Sequence, residues 1–167
     1  MNSRIKRYLL TYKDEEVIEK IFESLVEQGY LERTTTSIPF AFPVFVIWRQ
    51  SPQGEPKPRV VVDIRGLNQI MVPDAYPMPS QAEILNAIQG RPYITVVDCT
   101  SFFFQWRVHP ASKRCFTVVT HLGQHTFNCA LMGFRNTPAY TQRQMDIVLN
   151  DFKEFARVYI DNIVIIS

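Results

Sequence analysis

Val158-Tyr159-Ile160-Asp161-Asn162-Ile163-Val164-Ile165-Ile166 holds two apolar runs separated by two polar residues. Both runs have the β-branched and aromatic make-up of strands, and Asp161-Asn162 supplies acceptable chemistry for a tight turn, so the stretch reads as a β-hairpin. Taken alone, such a turn requires no function. It also lifts a carboxylate to the tip of a sheet, where it can face a second acidic strand end. A candidate for that second end lies upstream, where the apolar run Ile94-Thr95-Val96-Val97 closes on Asp98. A lone Asp at a strand end is explained first as the start of a turn.

Working outward, three helices are predicted. Ile18, Ile21, Phe22, Leu25 and Val26 recur at helical spacing behind Thr11 and Asp14, a capping-box-like start, and Gly29 is a natural stop. A second helix begins at the Ser80/Glu83 box, runs through Ile84, Leu85 and Ile88 and stops at Gly90. A third starts at Thr137 with Pro138 in its first turn, and Met145, Val148, Leu149, Phe152 and Phe155 form its expected buried stripe. Strands are predicted over residues 59–65, 93–97, 115–120 and 125–129, and residues 51–58, with three prolines and a glycine, form a loop or hairpin connection. Strands mixed irregularly with helices make this an α+β fold, with an antiparallel sheet packed on helices.

Alternation across residues 59–65 puts Val60, Val62 and Ile64 on one face and Arg59, Asp63 and Arg65 on the other. With Arg49 on the preceding run, these guanidinium groups suit a triphosphate, because Arg presents permanently charged donors matched to phosphate oxygens. Paired surface salt bridges are the alternative.

Composition narrows the class. The 167 residues are 46% hydrophobic and 20% charged, the make-up of one globular domain, and the net charge of +2 permits a polyanionic partner without selecting one. Cys99, Cys115 and Cys129 show no CxxC spacing, so neither a disulfide framework nor a structural zinc site is indicated, and an intracellular, non-secreted protein is expected. No apolar stretch reaches membrane-spanning length, and the N-terminal residues 1–10 lack the apolar core of a signal peptide, so no membrane partner is expected.

The motifs stand in a telling order. Ile38-Pro39-Phe40-Ala41-Phe42-Pro43-Val44 is followed by Val61-Val62-Asp63-Ile64-Arg65-Gly66-Leu67-Asn68, then Asp74-Ala75-Tyr76-Pro77-Met78-Pro79. Val97-Asp98 leads into Gln105-Trp106-Arg107-Val108, then Met132-Gly133-Phe134-Arg135-Asn136-Thr137-Pro138-Ala139-Tyr140-Thr141-Gln142, and finally Tyr159-Ile160-Asp161-Asn162. This collinear series resembles the reverse transcriptase of gypsy-class LTR retrotransposons, whose segments read Ser-Pro-Tyr-Ala-Ser-Pro-Val, Cys-Val-Asp-Tyr-Arg-x-Leu-Asn, Tyr-Pro-Leu-Pro, Leu-Asp-Leu-Lys-Ser-Gly-Tyr-His-Gln-Ile-Arg-Val, Phe-Gly-Leu-Thr-Asn-Ala-Pro-Ala-Thr-Phe-Gln and Tyr-x-Asp-Asp. An unrelated α+β binding module would require every match to be accidental.

The resemblance implies a fingers region over roughly residues 1–92 and a partial palm over residues 93–167, the two interleaving, with thumb, connection and RNase H absent. It implies template-directed addition of a deoxynucleotide to a primer 3′-hydroxyl, with an RNA or DNA template, two Mg²⁺ ions or alternatively Mn²⁺, and the other parts of a retroelement polyprotein as partners. Asp98 and Asp161 would be the metal-bridging carboxylates, with the main-chain carbonyl of Cys99 as a further ligand. Arg59 and Arg49 would clamp phosphates, Phe103 would exclude a ribose 2′-hydroxyl, Met132 would line the nucleotide pocket, and Tyr159 would lie near the primer end. The setting implied is a cytoplasmic particle or the nucleus.

Departures from the pattern predict an impaired enzyme. Asn162 replaces the second Asp of the hairpin, a neutral amide where hard cations favour carboxylates. Phe102 stands where the family has a small residue and is expected to crowd the nucleotide sugar, and Thr100 and Phe104 also differ. The alternative implied is a non-catalytic remnant with residual nucleic-acid binding.

Overall fold

Thr11 opens α1 (Tyr12–Glu27) as predicted: its hydroxyl accepts from the Asp14 amide at 3.3 Å, and the Asp14 carboxylate accepts from the Thr11 amide at 3.0 Å. Two amides that the helix itself leaves unpaired are thereby satisfied. Beyond α1 the computed structural model, which describes residues 7–51 and 54–167, runs through β1 (Leu31–Arg33), β2 (Phe42–Gln50), β3 (Pro56–Val62), α2 (Arg65–Ile70) and α3 (Gln81–Ile88). It continues as β4 (Ile94–Asp98), β5 (Thr117–Thr120), β6 (Gly123–Phe127), α4 (Thr137–Val148), β7 (Ala156–Tyr159) and β8 (Asn162–Ile166). These elements form two compact units, one from the chain up to Met71 with Arg107–Phe134, the other from Val72–Trp106 with Arg135–Ser167.

In the first unit the strand order is β1-β6-β5-β2-β3. The pairs are antiparallel except β2 with β5, which run parallel through Phe42↔Val118 and Pro43↔Val119, so this sheet is mixed rather than wholly antiparallel. α1 lies on it with Ile18 and Phe22 buried, and the Phe22 ring meets His125 and Phe127 edge-on at 5.3 and 6.4 Å. Pro56 and Pro58 sit inside β3, which is possible because β3 is an edge strand and a missing N–H there breaks no ladder. The loop expected over residues 51–58 is therefore shorter, closing at Gln50↔Pro56; its residues 52 and 53 lie outside the described residues.

The strand expected over residues 59–65 ends at Val62. Asp63 stops it: its carboxylate accepts from the Arg65 amide at 3.3 Å, a local side-chain bond that turns the chain into α2. Ile64 is buried as the alternation requires, although it lies outside the strand. Cys115 and Phe116, expected in a strand, close a 3₁₀ segment (Pro110–Phe116), and the strand expected over residues 125–129 is β6, two residues earlier.

In the second unit the order is β4-β8-β7, all antiparallel. Ser80 caps α3 through the predicted box, yet α3 buries none of its residues. Of the stripe expected on α4, Met145 is buried and Leu149 packs against the core, whereas Val148 is 64% exposed and Phe152 and Phe155 are also exposed; Thr137, Ala139, Thr141 and Gln142 complete the inward face instead. α4 stops at Val148 and a 3₁₀ turn (Asn150–Phe152) follows, so a 3.6-residue period cannot carry the stripe onward. The core here is Phe102, Met145 and Val158, with Cys99, Phe103, Trp106, Leu149, Ile160 and Ile163 packed against it. Among the described residues no helix is long and apolar enough to cross a membrane.

Candidate active site

β4 carries Asp98 to its exposed C-terminal end, where its register partner is Asn162, the first residue of β8. Tyr159 also pairs with Asn162, which leaves Ile160 and Asp161 as the two turn residues; the turn thus sits one residue earlier than the Asp161-Asn162 centre read from the sequence. Ile160 adopts φ 57°, a left-handed conformation that is strained for a β-branched side chain. The Cys99 amide donates to the Asp161 carbonyl at 2.8 Å and ties the end of β4 to the turn. Asp98 and Asp161 therefore come to one end of the same sheet. The Cys99 thiol registers both: burial first, then the charges of Asp98 and Asp161, push its pKa up.

Asn162 Nδ2 donates to Asp161 Oδ1 at 3.1 Å. Where a second Asp would add charge, this amide restrains the carboxylate and engages one of its oxygens. Among the described residues there is no cluster of three or more His, Cys, Asp or Glu side chains suited to a metal. Two carboxylates still fit a hard divalent cation that takes its remaining oxygens from water and substrate phosphate, the usual manner of Mg²⁺.

In the other unit, the Arg59 guanidinium donates to the Met132 thioether, so two residues expected to serve the nucleotide stand side by side. Arg49 is exposed on β2, opposite Lys57. Asp63 and Arg65 form a 2.7 Å ion pair, and the Tyr8 hydroxyl also donates to Asp63 at 2.7 Å. The Arg65 hydrogen bond chiefly holds the Asp63 carboxyl far below its usual range. Of the polar face predicted on residues 59–65, these two form the surface salt bridge and Arg59 stands apart from it.

Residues 50–167 match the family described as reverse transcriptase (RNA-dependent DNA polymerase). The chain belongs to that family. This reverse transcriptase segment is 31% identical over 164 residues to the retrovirus-related Pol polyprotein from transposon 297 of Drosophila melanogaster, covering 97% of this chain and 15% of the polyprotein. It is 27% identical over 164 residues to the enzymatic polyprotein of Cauliflower mosaic virus strain NY8153, covering 98% of this chain and 24% of that protein. The reverse transcriptase chain thus spans a quarter or less of the curated relatives it matches. Its fold matches a crystal structure of prototype foamy virus protease-reverse transcriptase at TM-score 0.81 and 25% identity, over 96% of this chain and 21% of that one. A foamy viral protease-reverse transcriptase in complex with double-stranded DNA shares the fold at TM-score 0.84 and 20% identity, over 100% of this chain and 28% of that one.

The aromatic pair of this reverse transcriptase segment divides differently from its reading in the sequence. Phe102 is 5% exposed and lies in the unit's core, edge-on to Trp106 at 5.5 Å. Phe103 is half-buried against the same cluster, and Tyr159 is half-buried opposite Asn162. Gln142, which closes the Met132–Gln142 motif but is given no role by the sequence, is fully buried on α4 and hydrogen-bonded to the hairpin backbone. Its available signal was the Gln142/Asp146 spacing of four on one helix, which places an amide beside a carboxylate.

Proposed function

We propose that this chain is the fingers and part of the palm of a gypsy-class retroelement polymerase, acting within a longer polyprotein in a cytoplasmic particle or the nucleus. Its reaction is template-directed addition of a deoxynucleotide to a primer 3′-hydroxyl, weakened here by Asn162. The observation that carries the reading is the backbone junction at the sheet end: Asp98 opposite Asn162, with the Cys99 amide on the Asp161 carbonyl. Similarity to the transposon 297 polyprotein supports the retroelement assignment.

When bound, Mg²⁺ or Mn²⁺ supplies Lewis-acid stabilisation to the attacking hydroxyl oxygen and to the phosphate oxygens of the leaving pyrophosphate. Asp98 and Asp161 would hold the two ions that the resemblance implies, with the Cys99 carbonyl as a further ligand. Asn162 restrains Asp161 but leaves the site one negative charge short, which lowers metal affinity and rate together. Arg59, beside Met132, and Arg49 take the triphosphate; Phe103 meets the sugar; Tyr159 lies at the primer end on an RNA or DNA template.

Mn²⁺ titration followed by electron paramagnetic resonance tests the site. The unaltered chain is expected to bind Mn²⁺, with Asp98→Asn and Asp161→Asn each abolishing binding; binding that survives both substitutions removes the site. Asn162 also favours a second reading, a non-catalytic remnant. Primer extension on a homopolymer template decides between them when Asn162→Asp is placed in the polyprotein-length protein: restored incorporation supports the weakened polymerase, and none supports the remnant.

A further inference from the structure

The buried Gln142 commits its whole side-chain amide to three partners. Oε1 accepts from the Ile160 amide at 2.8 Å, while Nε2 donates to the Val158 carbonyl at 3.1 Å and to Asp146 Oδ1 at 3.0 Å. The first two bonds bracket Tyr159 and end on Ile160, the residue whose left-handed φ of 57° sets the turn that presents Asp161. A carboxamide can be turned end for end, and the reversed form would set an acceptor against the Val158 carbonyl and a donor against the Ile160 amide. The hairpin backbone thus already disfavours the reversal, and Asp146, an acceptor-only carboxylate one helical turn along α4, adds a third mismatch and anchors Nε2 from the helix side. Its other oxygen, Oδ2, accepts from the Tyr76 hydroxyl at 2.7 Å, and that bond chiefly holds the Tyr76 phenol above its ordinary pKa.

We infer that Asp146, steadied by Tyr76, is a positioning residue for the metal site: it holds the Gln142 amide in the place and direction that the hairpin backbone requires, and through it steadies the strained turn that carries Asp161. Tyr76 lies in the segment before α3, and that segment is independently anchored to α4 by the Arg143–Asp74 ion pair at 2.6 Å. A line of hydrogen bonds thus runs from Tyr76 through Asp146 and Gln142 to the hairpin backbone. No part of it touches a reacting atom.

Its consequence for metal binding rests on the polymerase reading above, whereas its geometry can be tested without metal. The probe is hydrogen exchange of the Ile160 amide, whose bond to Gln142 would be released, with the Leu149 amide, bonded to the Met145 carbonyl at 2.9 Å, as the control on α4. Asp146→Leu and Gln142→Leu are expected to speed Ile160 exchange about tenfold with Leu149 unchanged. Asp146→Asn is expected to restore protection, since its carbonyl accepts from Gln142 and its amide donates to the Tyr76 oxygen. Tyr76→Phe, the mildest change, is expected to give a smaller acceleration. In parallel, Mn²⁺ affinity is expected to drop in Asp146→Leu and recover in Asp146→Asn. Unchanged Ile160 exchange in both leucine variants overturns the proposal, as does faster exchange with unaltered Mn²⁺ affinity. Absence of Mn²⁺ binding in the unaltered chain strikes the polymerase reading, while the exchange data judge the amide's orientation separately.

Discussion

Asn162 and Phe102 were the two departures that sequence reading set beside each other, and the structure separates them. Asn162 stands at the junction of β4 and the hairpin, where its amide engages Asp161. Asn162→Asp is therefore expected to raise Mn²⁺ affinity on the order of tenfold, the scale on which groups around a metal site act, measured by the same titration. Phe102 is a core side chain packed with Met145 and Val158. Truncating it to Ala should cost about 3–5 kcal/mol in urea unfolding, the range for emptying a buried aromatic site, and should restore no activity. One-residue letters cannot show which way a ring points; that depends on the 3₁₀ turn (Phe102–Gln105) after Ser101, whose own φ of 51° nothing in its identity announces.

At the level of elements, caps and alternation were legible because they are local. Thr11 and Ser80 cap as read, and Thr11→Ala should lower stability by about 1 kcal/mol in chemical denaturation. The hairpin was legible too, but its register was not: an Asp-Asn pair looks like turn centre, and only pairing with both β4 and β7 draws Asn162 into the ladder. The α4 stripe was legible only at Met145 and Leu149 for a related reason, since the inward face is chosen by what α4 packs on, and that face includes Gln142. On β6, His125 is buried against Phe22, and burial first, then Arg33, lowers its pKa. The unfolded chain then takes up the proton before the folded one as pH falls. His125 thus contributes no penalty above its ordinary value of 6.5 and a growing one below it. Urea midpoints should fall between about pH 7 and pH 5, and His125→Gln should flatten that slope.

Across the whole molecule, the order of motifs was legible from sequence, whereas the division was not, because the chain passes between its two units three times and only three-dimensional contacts reveal which segments belong together. The second unit ends its sheet on β4, exposed along its length, with Val96 61% accessible. An apolar edge of that kind recruits other strands. Sedimentation velocity should show concentration-dependent association of this chain, and Val96→Lys should suppress it. The first unit is built otherwise, with a three-residue strand, β1, at one border and Pro56 and Pro58 along the other. Those rings act as selvedge on a cloth: no foreign backbone can be stitched on there, so any growth of the sheet system, whether by aggregation or by legitimate assembly, is channelled to the half that bears the two aspartates.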